Sequence, residues 1–162
     1  IDTSWKNNDE LKVVFPMEVS VSNWASNSRT VERGPLVYAL KIAESWKKGY
    51  HEEAGDYFSI YPKSDWNYAL LENEIKDPSK FSVNVKPLAK NFVWDTSNAP
   101  VEITAMGKKI PSWKLDEDGI LHQPIGERSG IFQGKADQTP AKLTLIPYGF
   151  TKLRIVAFPV VK

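Results

Sequence analysis

Acidic clusters are the part of this sequence with the most obvious capacity for chemistry. One cluster is Glu52, Glu53 and Asp56, and the other is the Asp-Glu-Asp run at 116–118. Glycoside hydrolysis requires two carboxylates roughly 5–10 Å apart. Both clusters fall in predicted turns with glycine nearby, where acidic side chains are expected because water solvates them. The pattern therefore predicts no catalytic residue in this chain.

Histidine and cysteine usage argues against a metal site. His51 and His122 are the only histidines, and there is no cysteine, so neither a disulfide nor a thiolate ligand can form. A metal site usually needs three or four converging ligands, and these two histidines have no motif spacing. Since the sequence also lacks a nucleophile motif and a glycine-rich phosphate loop, we expect no metal and no cofactor.

Aromatic side chains are the more informative candidates for binding. The chain has six Trp and six Tyr. Exposed rings on a β-sandwich can stack on sugar rings, whereas buried rings dominate packing in a core or between domains. Both roles stay open for the six candidate residues, which are Trp46, Tyr50, Tyr57, Trp66, Trp94 and Trp113.

Charge and hydropathy exclude two classes of partner. The chain has 21 basic and 20 acidic residues, for a net charge of +1. A nucleic-acid-binding domain usually carries a clear basic excess or a basic stripe, which is missing here. Because no apolar run approaches about 18 residues, we also expect no membrane span.

Short alternating segments separated by turn residues predict the fold. Turn signals recur every 8–12 residues or so, which is typical of a sandwich or barrel. We therefore expect an all-β, antiparallel, jelly-roll-like β-sandwich with about ten strands and little helix. Exposed loops are predicted at 45–56 and 123–140, and a tight turn at Gly107–Lys108. The predicted strands are 17–21, 30–32, 36–42, 57–61, 66–71, 81–85, 101–106, 109–113, 142–146 and 153–158.

Period-two burial predicts which side chains fill the core between two facing sheets. The expected members are Val37, Val83, Ile103, Leu145 and Ile155. Residues 1–162 are expected to form a single domain. The chain begins with Ile-Asp-Thr and no initiator Met, which suggests a fragment of a larger protein whose targeting segment lies upstream. We expect a periplasmic or secreted location.

Four blocks of the sequence resemble one family. Val31–Leu40 resembles the "RGPLVYAL" strand of the β-L-arabinofuranosidase-like glycoside hydrolases, namely glycoside hydrolase family 127 and its uncharacterised relatives, and Phe15–Met17 resembles the strand before it. Tyr61–Leu70 is similar to a "WNYAL" block of the relatives. Thr144–Gly149 and Lys152–Ile155 are similar to their terminal strands. The resemblance covers nearly the whole chain.

This resemblance implies a role without chemistry. In such bacterial proteins an upstream (α/α)6 barrel carries the catalytic glutamate and a cysteine-rich metal site, and β-sandwich domains follow it. This chain has no cysteine, so no catalytic residue carries over. The resemblance implies a non-catalytic C-terminal accessory domain whose partner is the barrel of the same polypeptide. The alternative is a carbohydrate-binding module for plant-type oligosaccharides or polysaccharides, and a free-standing enzyme is the third hypothesis.

Overall fold

Ten strands and one short helix make up the computed structural model, which describes residue 2 and residues 4–117, 121 and 134–162. The strands are β1 (Val19–Asn23), β2 (Arg29–Arg33), β3 (Leu36–Leu40), β4 (Glu44–His51), β5 (Gly55–Pro62), β6 (Tyr68–Leu71), β7 (Ser82–Val85), β8 (Val101–Lys109), β9 (Ala141–Pro147) and β10 (Val160–Val161). Helix α1 is Glu72–Ile75, and 3-10 turns lie at Ala25–Asn27, Pro78–Lys80 and Tyr148–Phe150. The predicted all-β class is confirmed.

Eight strands form one sheet with the order β1-β2-β3-β9-β8-β6-β10, in which β7 also pairs with β8. All of its ladders are antiparallel except that between β6 and β10. The long strand β8 pairs with β9 along one edge. Its other edge pairs with β7 near Val101 and with β6 near Lys109.

The sheet curls around one core. Val31 in β2 and Leu70 in β6 are fully buried in the same cluster as Ile103 and Leu145. In a flat sheet β2 and β6 would be four strand spacings apart, which is about 19 Å. The sheet must therefore bend so that both sides of the core come from it, which gives the sandwich-like architecture.

The C-terminal segment closes this curl. Arg29 and Phe158 exchange main-chain hydrogen bonds of 2.9 and 2.8 Å, and Leu40 N donates to Ile155 O at 2.9 Å. Leu70 N donates to Pro159 O, also at 2.9 Å. The prediction of a strand at 153–158 was wrong because the segment bonds to three different strands in turn, so no continuous ladder forms.

Strands β4 and β5 form a separate two-stranded sheet. Their register runs from Glu44 opposite Pro62 to His51 opposite Gly55. The prediction of a loop at 45–56 was therefore wrong, although most of its side chains are exposed. Charged residues alternate with aromatic ones there, and the hairpin has no buried face that would give the sequence an apolar period.

The predicted turn at Gly107–Lys108 was also wrong, since both residues lie inside β8. A Cβ at position 107 would clash with the main-chain oxygen of Ala69 and lie 2.6 Å from Leu143 Cδ1. Glycine is needed here because β6 and β9 approach closely, and not because the chain turns. The predicted strand 109–113 stops at Lys109, and Trp113 N donates to Ile110 O at 3.0 Å to form a turn.

Two members of the expected core lie outside it. Ile103, Leu145 and Ile155 are buried as predicted. Val83 is 37% exposed because β7 is an edge strand that pairs only with β8. Val37 points away from the core, since its neighbour Tyr38 takes the inward position, and it lines a groove on the outer side of the sheet.

Candidate functional site

Three of the six predicted aromatic residues lie on the β4–β5 sheet, which we call the aromatic hairpin (residues 44–62). Trp46, Tyr50 and Tyr57 are all exposed there, Tyr50 by 70%. The two strands contact mainly each other, so the hairpin stands away from the curled sheet. A two-stranded hairpin is at best marginally stable in water by itself. Packing of its exposed aromatic side chains against another surface would therefore stabilise it.

One face of the aromatic hairpin carries rings that are not parallel. Trp46 and Phe58 meet edge to face, with centroids 5.9 Å apart and ring planes inclined at 68°. Lys48 and Asp56 form an ion pair on this face, next to Tyr50. The rings and the ion pair together give a surface that is part aromatic and part charged, without a flat platform.

The opposite face has a similar mixture. A Cβ on Gly49 would lie 2.6 Å from the hydroxyl oxygen of Tyr57, so the Tyr57 ring lies across this glycine. The Lys47 ammonium lies 5.2 Å from the centroid of the Tyr61 ring, in a cation–π contact. Both faces of the hairpin therefore combine aromatic rings with lysine side chains.

Hydrogen bonds fix the base of the hairpin to the body. The Glu44 carboxylate accepts from Lys152 N at 2.9 Å, and Lys63 N donates to Ala43 O at 2.7 Å. Ala43 N donates to Ser64 Oγ at 3.0 Å. The Glu44 bond therefore joins the hairpin to the body, and the two Ala43 bonds close the base of the hairpin.

Trp66 and Trp113 belong to the core and not to an exposed surface. Trp113 is 2% exposed, and half-buried Trp66 packs against it edge to face at 5.5 Å. The sequence could not separate this role from sugar stacking, because burial of Trp113 depends on strands far away in the chain.

Trp94 lies away from the aromatic hairpin, in an apolar groove of about 760 Å³ on the outer side of the sheet. It packs on Phe150 with centroids 4.6 Å apart and on Phe92 at 5.1 Å. Large exposed side chains surround the opening. The groove is lined by Trp24, Thr30, residues 35–37, Leu88, Phe92, Trp94, residues 100–101, residues 147–150 and residues 156–157.

Outward-facing apolar residues explain why the groove exists. Ala39 in β3 and Ile146 in β9 are opposite each other and buried, although they point away from the main core. Ile146 forms a second cluster with Ala99 and Phe150, against which Phe92 packs. Loop 86–100 covers this part of the sheet and leaves the groove beside it. Sequence reasoning missed the groove because its walls come from segments between residues 24 and 157.

A tight turn holds the loop that carries Trp94. The Asp95 carboxylate accepts from Ser97 N at 2.8 Å and from Asn98 N at 2.9 Å. Hydrogen bonding, above all from the Ser97 hydroxyl, keeps the pKa of Asp95 below its usual value. The charged carboxylate therefore stabilises the turn that presents Trp94 to the groove.

Ionisable groups are missing from the groove and scattered elsewhere. No Asp, Glu, His, Lys or Arg is among the described residues that line it. Even its polar atoms are engaged, because Trp24 Nε1 donates to Ser22 Oγ at 3.0 Å and Arg154 donates to the Tyr148 hydroxyl at 3.4 Å. Such a surface fits an apolar partner and offers no acid, base or nucleophile.

The predicted acidic clusters do not converge in the described part of the chain. Glu52 and Glu53 lie at the exposed hairpin turn, where Glu53 N donates to His51 Nδ1 at 3.3 Å. Asp116 and Glu117 lie elsewhere, and Asp118 and His122 are outside the described residues. Within that same part of the chain, no three His, Cys, Asp or Glu side chains are grouped so that they could hold a metal ion.

Comparisons with known proteins identify no relative of this chain. In the described residues, no helix has both the length and the apolar character needed to cross a membrane. A search of protein-family models, of curated proteins and of solved structures finds no match to this chain.

Proposed function

We propose that this chain is a non-catalytic accessory β-sandwich domain that packs on an adjoining domain of the same polypeptide through the aromatic hairpin. The observation that carries the proposal is the hairpin itself, on which Trp46, Tyr50 and Tyr57 are exposed on both faces. The glycoside-hydrolase context, with an upstream (α/α)6 barrel as the partner, comes from the sequence resemblance.

The mixed chemistry of the hairpin supports an interdomain contact. Interfaces between domains of one chain are more polar than permanent subunit interfaces. The hairpin matches this, because Trp46, Phe58 and Tyr61 are interleaved with Lys47 and Lys48. Aromatic rings would supply the contact area, and the lysines would pair with acidic groups of the partner or remain hydrated at the rim.

Photocrosslinking in the longest polypeptide of the reading frame tests this proposal. With a photoreactive amino acid at position 50, we expect a crosslink to a segment outside residues 1–162. The matched control carries the same group at position 85, where Val85 is also exposed but lies on β7, off the hairpin. Crosslinks at both positions alike, or at neither, would show that the hairpin is not a docking element.

A carbohydrate-binding module is the second candidate, and the exposure of Trp46, Tyr50 and Tyr57 favours it. The geometry supports it less, because sugar stacking needs open ring faces. The Trp46 and Phe58 planes are inclined at 68°, and Lys47 covers the Tyr61 ring. Isothermal titration with arabinan, galactan and other plant polysaccharides tests whether the chain binds sugar. Heat that disappears in Trp46→Ala would establish sugar binding, and no heat at millimolar sugar would remove this candidate.

A further inference from the structure

We propose that two copies of this chain pair by exchanging N-terminal arms, so that residues 11–15 of each copy lie in the apolar groove of the other. This inference goes beyond the proposed function and uses a different surface. It joins two features of the described residues, namely an apolar segment and an apolar groove that are both exposed.

The arm is unusually apolar for an exposed segment. Leu11, Val13, Val14, Phe15 and Met17 are all exposed, Val14 by 72% and Phe15 by 76%. Residues 11–18 also lie outside both sheets. β-branched and aromatic side chains prefer extended, half-buried backbone. In that conformation Leu11, Val13 and Phe15 share one face, and Lys12 and Val14 lie on the other, where the Lys12 ammonium stays in water. Burial of the first face against an apolar surface would therefore be favourable.

The groove offers such a surface. Trp24, Leu36, Leu88, Trp94 and Tyr148 are exposed around its opening, Leu88 by 65%. The largest apolar patch on a typical monomer is about 300–600 Å², and patches of that size mark interaction sites. A groove without charge suits the interior of a homodimer interface, which is more apolar than a contact between domains.

The position of the arm favours reciprocal exchange. Met17 packs over Gly34, beside the rim residues Pro35 and Leu36, and Gly34 N donates to Glu18 O at 3.3 Å. The arm thus leaves the body at the edge of the groove. Five extended residues span about 17 Å. With a two-fold axis near this rim, each arm reaches the groove of the other copy, and the symmetry closes at a dimer.

The available area is sufficient for a stable pair. One face of the arm presents Leu11, Val13 and Phe15, and the groove presents five large exposed apolar side chains. If each of these eight buries roughly 80 Å², which is about half of the area an aromatic side chain can bury, the dimer buries on the order of 1,300 Å². That is within the range of standard specific interfaces.

Cysteine pairing tests the arrangement directly, because the chain has no cysteine of its own. Val13→Cys in a tagged copy is mixed with Leu88→Cys in an untagged copy and oxidised mildly. We expect a disulfide between tagged and untagged chains. Tyr50→Cys replaces Leu88→Cys as the matched control, since it is equally exposed but lies on the hairpin, and it should give far less product.

Sedimentation supplies the second measurement. The wild type should be dimeric at about 100 μM, and Phe15→Ser should weaken the dimer by about tenfold or more in dissociation constant. Trp46→Ser should leave the dimer unchanged. A monomer at that concentration, or a disulfide formed within a single copy of a Val13→Cys/Leu88→Cys double variant, would overturn the inference. The hairpin proposal uses other residues, so either proposal can fail alone.

Discussion

The side-chain amide of Asn67 donates to the main-chain carbonyl of Trp113 at 3.1 Å, across 46 positions of the sequence. The same nitrogen donates to Ile110 O at 2.8 Å, and Ile110 N donates back to Asn67 O at 2.7 Å. These bonds join the start of β6 to the turn that delivers Trp113 into the core. Asn67 is buried, so water cannot replace them.

Removing this amide should destabilise the fold strongly. Asn67→Ala removes the donor of the Trp113 carbonyl, whereas Ile110 O keeps its bond from Trp113 N, and we expect a loss of about 2 kcal/mol in the free energy of unfolding. Asn67→Asp should cost more, because a carboxylate would face two carbonyl oxygens in a buried site. Urea denaturation measures both variants. Asn91→Ala and Asn91→Asp are the controls, since Asn91 is exposed, and an equal effect at position 91 would contradict the assignment.

Gly107→Ala and Gly49→Ala form a matched pair that tests close packing in β8. A Cβ at 107 meets the backbone of Ala69 and the packed side chain of Leu143, neither of which can move freely. We expect a loss of about 1–3 kcal/mol. A Cβ at 49 meets only the half-exposed Tyr57 ring, which can rotate away, so stability should change by less than about 0.5 kcal/mol. Equal losses in thermal or urea unfolding would refute the difference.

Glu74 occupies the gap between the two strands that share one edge of β8. Its carboxylate accepts from Met106 N at 3.1 Å, between the ends of the β7 and β6 ladders. Glu74→Ala leaves this amide unsatisfied and should cost about 1–3 kcal/mol. Glu74→Gln keeps an acceptor and should cost less. Hydrogen exchange at the Met106 amide is the local readout, and exposed Glu10→Ala should leave it unchanged.

Glu102 should make stability depend on pH. Its carboxylate accepts from Lys41 and Lys86, each at 2.8 Å, and these bonds, with Lys41 first, hold its pKa below the ordinary value. Because the folded-state pKa is depressed, the stabilisation is present above the unfolded pKa of about 4.3 and is lost as pH falls through the folded value.

Glu102→Gln should therefore unfold more easily than the wild type at pH 7, by about 1 kcal/mol for this partly exposed cluster. The difference should shrink towards zero in acid. Denaturant unfolding at neutral and acidic pH measures it, with Asp56→Asn in the exposed hairpin ion pair as the control. A difference that stays constant with pH would show that the loss comes from packing and not from charge.

Alternation along the chain was sufficient to predict the fold class. Ile103 and Leu145 occupy inward positions of β8 and β9 because period-two burial places them on one face, whatever the partners are. Trp46, Tyr50 and Tyr57 lie on one hairpin because they are close in sequence. Local patterns succeed here because the information lies within a few residues.

The tertiary structure alone decided what depends on distant contacts. The sequence around Gly107 is typical of a turn, but in the fold this residue lies in a strand where β6 and β9 pack closely against it. The sequence does not distinguish the role of Trp113 from that of Trp94. In the structure Trp113 is buried in the core, whereas Trp94 borders a groove built from remote segments. A strand pattern tells which side chains share a face, but the burial of that face is fixed by how the sheet curls.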